Sequence, residues 1–249
     1  MQKCQRPRSV PQLMRRLGAM AALFGVLAVA APALAAPDEW RVVASPDLGS
    51  TSSTLVGVSC LLPGRCVAVG GTATEALIET GNVIAWSRVP APPTPSGVSS
   101  AHLAAVSCAS AKFCAAAGSQ FILGPTPDST RSQALIDTWN GRECSVLETP
   151  NPAGGEGPTL NGVSCIPWGS CAAVGSDKTA SGSQTLVETS QGDKWSLAPS
   201  ANGAGGQSEL GGVSCVPFLF LWQSCVAVGS DTATPTGPPQ TLAESRGIF

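Results

Sequence analysis

Tyrosine is absent from the chain, histidine occurs once, and charged residues fill only 12% of the 249 positions. Each shortage excludes a chemistry. No phenolic nucleophile is available. Metal sites built on several histidines are ruled out by count. A Ser-His-Asp or Cys-His relay would have to use His102 alone. No Gly-x-Ser-x-Gly elbow accompanies it, and His102 reads as a solvated residue in the loop before the second repeat. The glycine-rich stretches 154–157 and 203–206 contain no lysine, so no phosphate loop or dinucleotide fingerprint is present. No helical period is visible after residue 36, and no later stretch is long and apolar enough to cross a bilayer as a helix.

The first 35 residues differ from the rest. Arg6, Arg8, Arg15 and Arg16 precede an apolar run from Leu17 to Ala33, followed by Ala33-Leu34-Ala35. That order predicts a signal peptide over 1–35 and an exported domain over 36–249. Five of the 14 basic residues and none of the 16 acidic ones fall in the leader, which leaves the exported part at net −7. Such a chain lacks the basic patch that nucleic-acid binding needs. The expected location is secreted, extracellular or at the cell envelope.

Four segments repeat: Leu55-Val-Gly-Val-Ser-Cys60, Leu103-Ala-Ala-Val-Ser-Cys108, Leu160-Asn-Gly-Val-Ser-Cys165 and Leu210-Gly-Gly-Val-Ser-Cys215. Each leads to a second cysteine that opens Cys66-Val-Ala-Val-Gly70, Cys114-Ala-Ala-Ala-Gly118, Cys171-Ala-Ala-Val-Gly175 or Cys225-Val-Ala-Val-Gly229. A third strand carries Glu79, Asp137, Glu188 and Glu244. A fourth begins at Trp86 and Trp195, with Cys144 in the same place in repeat two. The first cysteines recur at intervals of 48, 57 and 50 residues. Four short strands per fifty residues is the arithmetic of a propeller blade. The fold class is therefore all-β, a small β-propeller with blades near 53–90, 101–150, 158–199 and 208–245 plus 38–46. The last repeat stops after its third strand, while Glu39-Trp40-Arg41-Val42-Val43 resembles an isolated fourth strand. The Trp40 strand is expected to complete the last blade and close the ring, the alternatives being an open array, a sandwich, or a half-ring that pairs with a second chain.

Each cysteine pair ends one strand and starts the next, side by side in a hairpin. That predicts the disulfides Cys60–Cys66, Cys108–Cys114, Cys165–Cys171 and Cys215–Cys225, as an oxidising compartment allows. Cys144 is left as an unbridged thiol, read first as a small apolar residue in a tryptophan slot. Thiolate zinc sites want closer pairs converging on one ion, so no metal and no cofactor is expected. The recurring acids could hold a divalent cation only if all faced a central channel; strand three usually lies away from it.

The motifs Leu-x-Gly-Val-Ser-Cys and Cys-x-Ala-Val-Gly, with Ala134-Leu-Ile-Asp-Thr-Trp-Asn-Gly141, resemble tandem repeats of exported, mostly uncharacterised actinobacterial proteins. The resemblance spans roughly residues 38–245 and implies a propeller-like fold without bringing catalytic residues. Cys144 and the enlarged fourth cysteine loop depart from that pattern. Ser190-Gln-Gly192-Asp-Lys-Trp195 is distantly similar to the Asp-box turns of sialidase-like propellers but lacks their carboxylate, and without tyrosine the usual sialidase nucleophile is missing.

Two loops depart from the repeat and are the places where a ligand would bind. One is 119–133. The other is the fourth cysteine loop, which carries Phe218, Leu219, Phe220, Leu221 and Trp222. The expected function is a non-enzymatic exported scaffold for a protein or glycan ligand, with no catalytic residues, no transmembrane segment after leader removal, and self-association open. The alternative is a polysaccharide-acting hydrolase or lyase, which would need two of the recurring carboxylates to converge.

Overall fold

The computed structural model describes residues 40–46, 52–62, 64–90, 95–124, 126, 129–147, 149–203, 206–218, 222–232 and 237–247. The leader expected over 1–35 lies outside them. Every regular element among the described residues is a strand, and the fifteen strands form four antiparallel sheets in sequence order.

Sheet one contains β1 (Ser53–Leu62), β2 (Arg65–Thr72), β3 (Ala76–Gly81) and β4 (Trp86–Val89). Sheet two contains β5 (Val98–Ser110), β6 (Phe113–Leu123), β7 (Thr130–Trp139) and β8 (Cys144–Leu147). Sheet three contains β9 (Thr159–Cys165), β10 (Ser170–Thr179), β11 (Gly182–Gln191) and β12 (Lys194–Leu197). Sheet four has three strands, β13 (Ser208–Phe218), β14 (Trp222–Asp231) and β15 (Gln240–Arg246).

The motifs explain themselves in the register. Each cysteine pair is directly opposed across the first hairpin, with Cα atoms 3.9–4.1 Å apart, and all four expected disulfides are formed. The register of every first hairpin shifts by one residue just after the motif leucine, a β-bulge. Opposite that leucine stand Gly70, Gly118, Gly175 and Gly229. A Cβ at any of them would fall within 2.0 Å of a first-strand carbonyl oxygen. The third-to-fourth strand turns are set by asparagine: Asn82 Oδ1 accepts from the amides of Ile84 and Ala85, and Asn140 Oδ1 from those of Arg142 and Glu143.

Consecutive sheets meet through their first strands. β1 packs on β5, β5 on β9 and β9 on β13. Leu103 and Val106 of β5 are buried with Val69 of sheet one, and Leu160 and Val163 of β9 with Ala115 and Ala117 of sheet two. One hydrogen bond repeats at each junction. The motif serine accepts from the backbone N–H of the next sheet's first cysteine: Ser59 from Cys108, Ser107 from Cys165 and Ser164 from Cys215, each at 3.0 Å.

The four sheets are not closed into a ring. The expected fourth strand of the last sheet is not formed: residues 40–46 belong to no strand, and Trp40 is fully exposed. Instead Ser45 Oγ donates to Glu79 Oε2 of sheet one at 2.7 Å. Identical sequence signatures set the local strand, but closure also requires the sheet-to-sheet rotation to bring the ends together, and β-strand patterning does not encode that angle. Two further expectations are corrected. Residues 119–133 are mostly not a loop, because β6 and β7 stay paired from Gln120–Gln133 to Leu123–Thr130. His102 lies in β5 opposite Ser119, half-buried, not in a loop.

Candidate functional site

The recurring acids occupy one equivalent position in each sheet. Glu79, Asp137, Glu188 and Glu244 pair across the ladder with Ala68, Ala116, Ala173 and Ala227, so a small residue stands opposite each carboxyl. Glu79, Asp137 and Glu188 are buried, and Glu244 is half-buried. No three His, Cys, Asp or Glu side chains converge on a point among the described residues.

What each acid meets is fixed by the chain preceding its sheet. Five places after Trp40, Trp86, Cys144 and Trp195, which share one place in the repeat, stand Ser45, Ala91, Thr149 and Ser200. Ser200 Oγ donates to Glu244 Oε2 at 2.8 Å, just as Ser45 does to Glu79, and the Ala201 amide adds a bond at 3.3 Å. Thr149 Oγ1 donates elsewhere, to the carbonyl of Ala134, and Ala91 has no hydroxyl. Asp137 Oδ1 and both oxygens of Glu188 therefore have no hydrogen-bond partner among the described residues. Burial favours their neutral forms. It pushes the Asp137 carboxyl from 3.8 to about 7 and that of Glu188 from 4.5 to about 8.

A second pair of acids escaped the sequence reading. Asp177 and Asp231 each stand six residues after the second cysteine of their repeat and hold the glycine-rich connections. Asp177 Oδ1 accepts from the Gly157 amide at 3.3 Å, and Asp231 Oδ1 accepts from Ser208 Oγ, which in turn accepts from the Gly203 amide. A Cβ on Gly155 or Gly203 would strike these carboxylates. The glycines permit close approach of a carboxylate of the same chain rather than of a phosphate. The signal was present, since Asp recurs only in the two repeats with glycine-rich connections.

Clefts open between neighbouring sheets. One of about 360 Å³ lies between sheets one and two, lined by Arg65, Asn82, Ser87 and Trp139 beside the first two disulfides. Another, of about 290 Å³, lies between sheets three and four and includes Glu244 and Arg246.

The fourth cysteine loop is a hairpin extension. Beyond the clasp, Val216 pairs with Ser224, Pro217 with Gln223 and Phe218 with Trp222. Val216 is 59% exposed and Phe218 40%. Leu219, Phe220, Leu221 and the side chain of Trp222 lie outside the described residues. His102 packs over the Cα of Gly71, where a Cβ would meet Nδ1. Cys144 is buried beside Cys114 and Trp139 in an apolar cluster, outside the four disulfides.

No protein-family model and no curated protein matches the chain. What the arrangement can do chemically therefore rests on the sites above. The acids sit in separate sheets, three of them buried and Glu244 half-buried beside a cleft. Exposed apolar residues include Val216 and Phe218 near the fourth hairpin tip, Leu55, Val56 and Val58 of sheet one, and Val226 and Val228 of sheet four. No helix among the described residues is long and apolar enough to cross a membrane.

Proposed function

We propose that the chain is an exported, non-enzymatic β-repeat scaffold that binds a protein or glycan of the cell envelope, chiefly through the hairpin tip at 216–222. One observation carries the reading. Val216 and Phe218 are presented to solvent on a hairpin held by the Cys215–Cys225 disulfide. An apolar surface on a braced element loses little conformational entropy on binding, which favours recognition. The four disulfides fit an oxidising compartment, and the basic-apolar leader supplies the route to it. The repeat signature resembles that of exported actinobacterial proteins, and the resemblance supports reading the chain as a propeller-like array.

Replacing Phe218, Phe220 and Trp222 together by serine is expected to abolish retention on purified envelope fractions and on a glycan array. It should leave the far-ultraviolet circular dichroism unchanged. Retention equal to that of the parent chain would remove the tip from the binding surface.

The polysaccharide hydrolase or lyase is the second reading, favoured by the raised carboxyls of Asp137 and Glu188, since a general acid needs such a value. Against it, both groups are buried and lie in different sheets. A glycan-cleavage screen with Glu79, Asp137, Glu188 and Glu244 replaced in turn separates the two. Cleavage lost with any one of them would establish the enzyme.

A further inference from the structure

The apolar residues that inner sheets bury against their neighbours are left open at the two ends of the array. Val106 and Val163, on the first strands of sheets two and three, are 9% and 8% exposed, whereas the equivalent Val58 of sheet one is 61% exposed. On the opposite face, Val69, Ala117 and Val174 are at most 1% exposed, whereas the equivalent Val228 of sheet four is 52% exposed. These two open faces are the two halves of one interface that the chain already makes three times.

The arm over residues 40–46 carries the same message. In sheet three, β12 starts at Lys194-Trp195, and five residues after Trp195 the hydroxyl of Ser200 reaches Glu244 in the following sheet. Ser45 makes the same bond to Glu79 of sheet one. By that spacing Trp40–Val43 belongs in the fourth-strand position of a sheet preceding sheet one. Among the described residues sheet four is the sheet that lacks a fourth strand, and no described strand pairs with β15 on that side.

We propose that a second copy of this chain docks head to tail, the arm of each copy forming the fourth strand of the other's sheet four. The register follows from the other sheets, where Glu79 faces Arg88 and Glu188 faces Leu197, each two residues after the tryptophan. Val42 then faces Glu244, Arg41 faces Ser245 and Trp40 faces Arg246 of the other copy. Val58 and Leu55 of one copy cover Val226 and Val228 of the other, and Ser214 Oγ accepts from the Cys60 N–H across the junction. Two copies joined at both ends make eight sheets, the upper end of the usual propeller range of about 4–8 blades, whereas three would exceed it. The docked arm also covers the edge of β15, leaving in its place a short fourth-strand edge like those of the other sheets.

The test uses the full exported chain in two single variants, Arg41→Cys and Ser245→Cys, mixed and oxidised. Cross-linking between copies is the expected result: a covalent species of twice the chain mass, present in the mixture and absent from either variant alone. Light scattering of the parent chain should give the same doubled mass, and Val228→Asp should return it to the single mass with unchanged circular dichroism. A parent chain of single mass, without mixed cross-link, overturns the proposal. So does a monomeric double variant, Arg41→Cys with Ser245→Cys, whose bridge forms within one chain, because that is closure of the array on itself.

Discussion

Ser59, Ser107 and Ser164 lie on first strands yet act between sheets, since each accepts the amide of a cysteine 49, 58 or 51 residues away. A buried amide left without an acceptor costs roughly 1–3 kcal/mol. Ser164→Ala is therefore expected to lower the urea midpoint by an amount equivalent to about 1–2 kcal/mol. Ser214→Ala, whose equivalent junction is open within the chain, should leave the midpoint of a dilute sample unchanged. Equal losses for both would show that the serine stabilises its own strand instead. The buried acids belong to the same scale and give a pH dependence. Because the folded carboxyls of Asp137 and Glu188 titrate near 7 and 8, the native state holds protons that the unfolded chain releases near 4. Their contribution is full below about pH 4 and is lost as pH rises toward 7 to 8, so the melting temperature should fall across that window. Asp137→Asn with Glu188→Gln should flatten the fall. A parent melting temperature that rises from pH 4.5 to 7.5, unaltered in the double variant, would mean that these carboxyls stay ionised when folded.

Strands, hairpins and clasps were legible in the sequence because each depends on neighbours close along the chain. The Cys-x5-Cys spacing of the first three repeats fixes the first hairpin, and the short apolar run from the second cysteine to the motif glycine marks the second strand. The role of the motif glycine was not legible, because it answers to a bulge in the partner strand that pattern alone does not reveal. The paired extension of β6 and β7 reads as a loop because it adds length that the other repeats lack, although Gln120 and Gln133 bond each other across the ladder at 3.3 Å. The acids were found by their recurrence, but their burial was not, because desolvation of a carboxyl is a property of the sheet in front of it. At this scale the clasps give a graded prediction. Opening a loop with cysteines six residues apart releases about 2 kcal/mol in the chain-entropy account, and slightly more for the ten-residue separation of Cys215–Cys225. Replacing Cys165 and Cys171 by alanine should lower the guanidinium midpoint accordingly. Gly175→Ala should cost at least as much, about 2–3 kcal/mol or more, because its Cβ meets backbone that cannot step aside. A glycine variant as stable as the parent would mean that the bulge relaxes freely.

An array whose sheets touch only their neighbours has no single core, and its stability is close to a sum of sheet and junction contributions. The buried clusters follow that logic: one joins sheets one and two, a second sheets two and three, and a smaller third sheets three and four. Sheets two and three each have two junctions, whereas sheets one and four have one apiece within the chain. Opening should therefore start from the ends, with amide exchange slowest in β6 and β10 and fastest in β1 and β15. Docking of a second copy adds the missing junction to both end sheets at once, and anything that binds only the folded form raises its stability by mass action. Raising the protein concentration a hundredfold should therefore slow exchange in β1, β13 and β15 by at least tenfold while leaving β6 and β10 nearly unchanged. Hydrogen exchange followed by peptide mass analysis reads this directly. A uniform change along the chain, or none, would mean that the end sheets derive their protection from within one copy and that the exposed valines at 58 and 228 face solvent throughout.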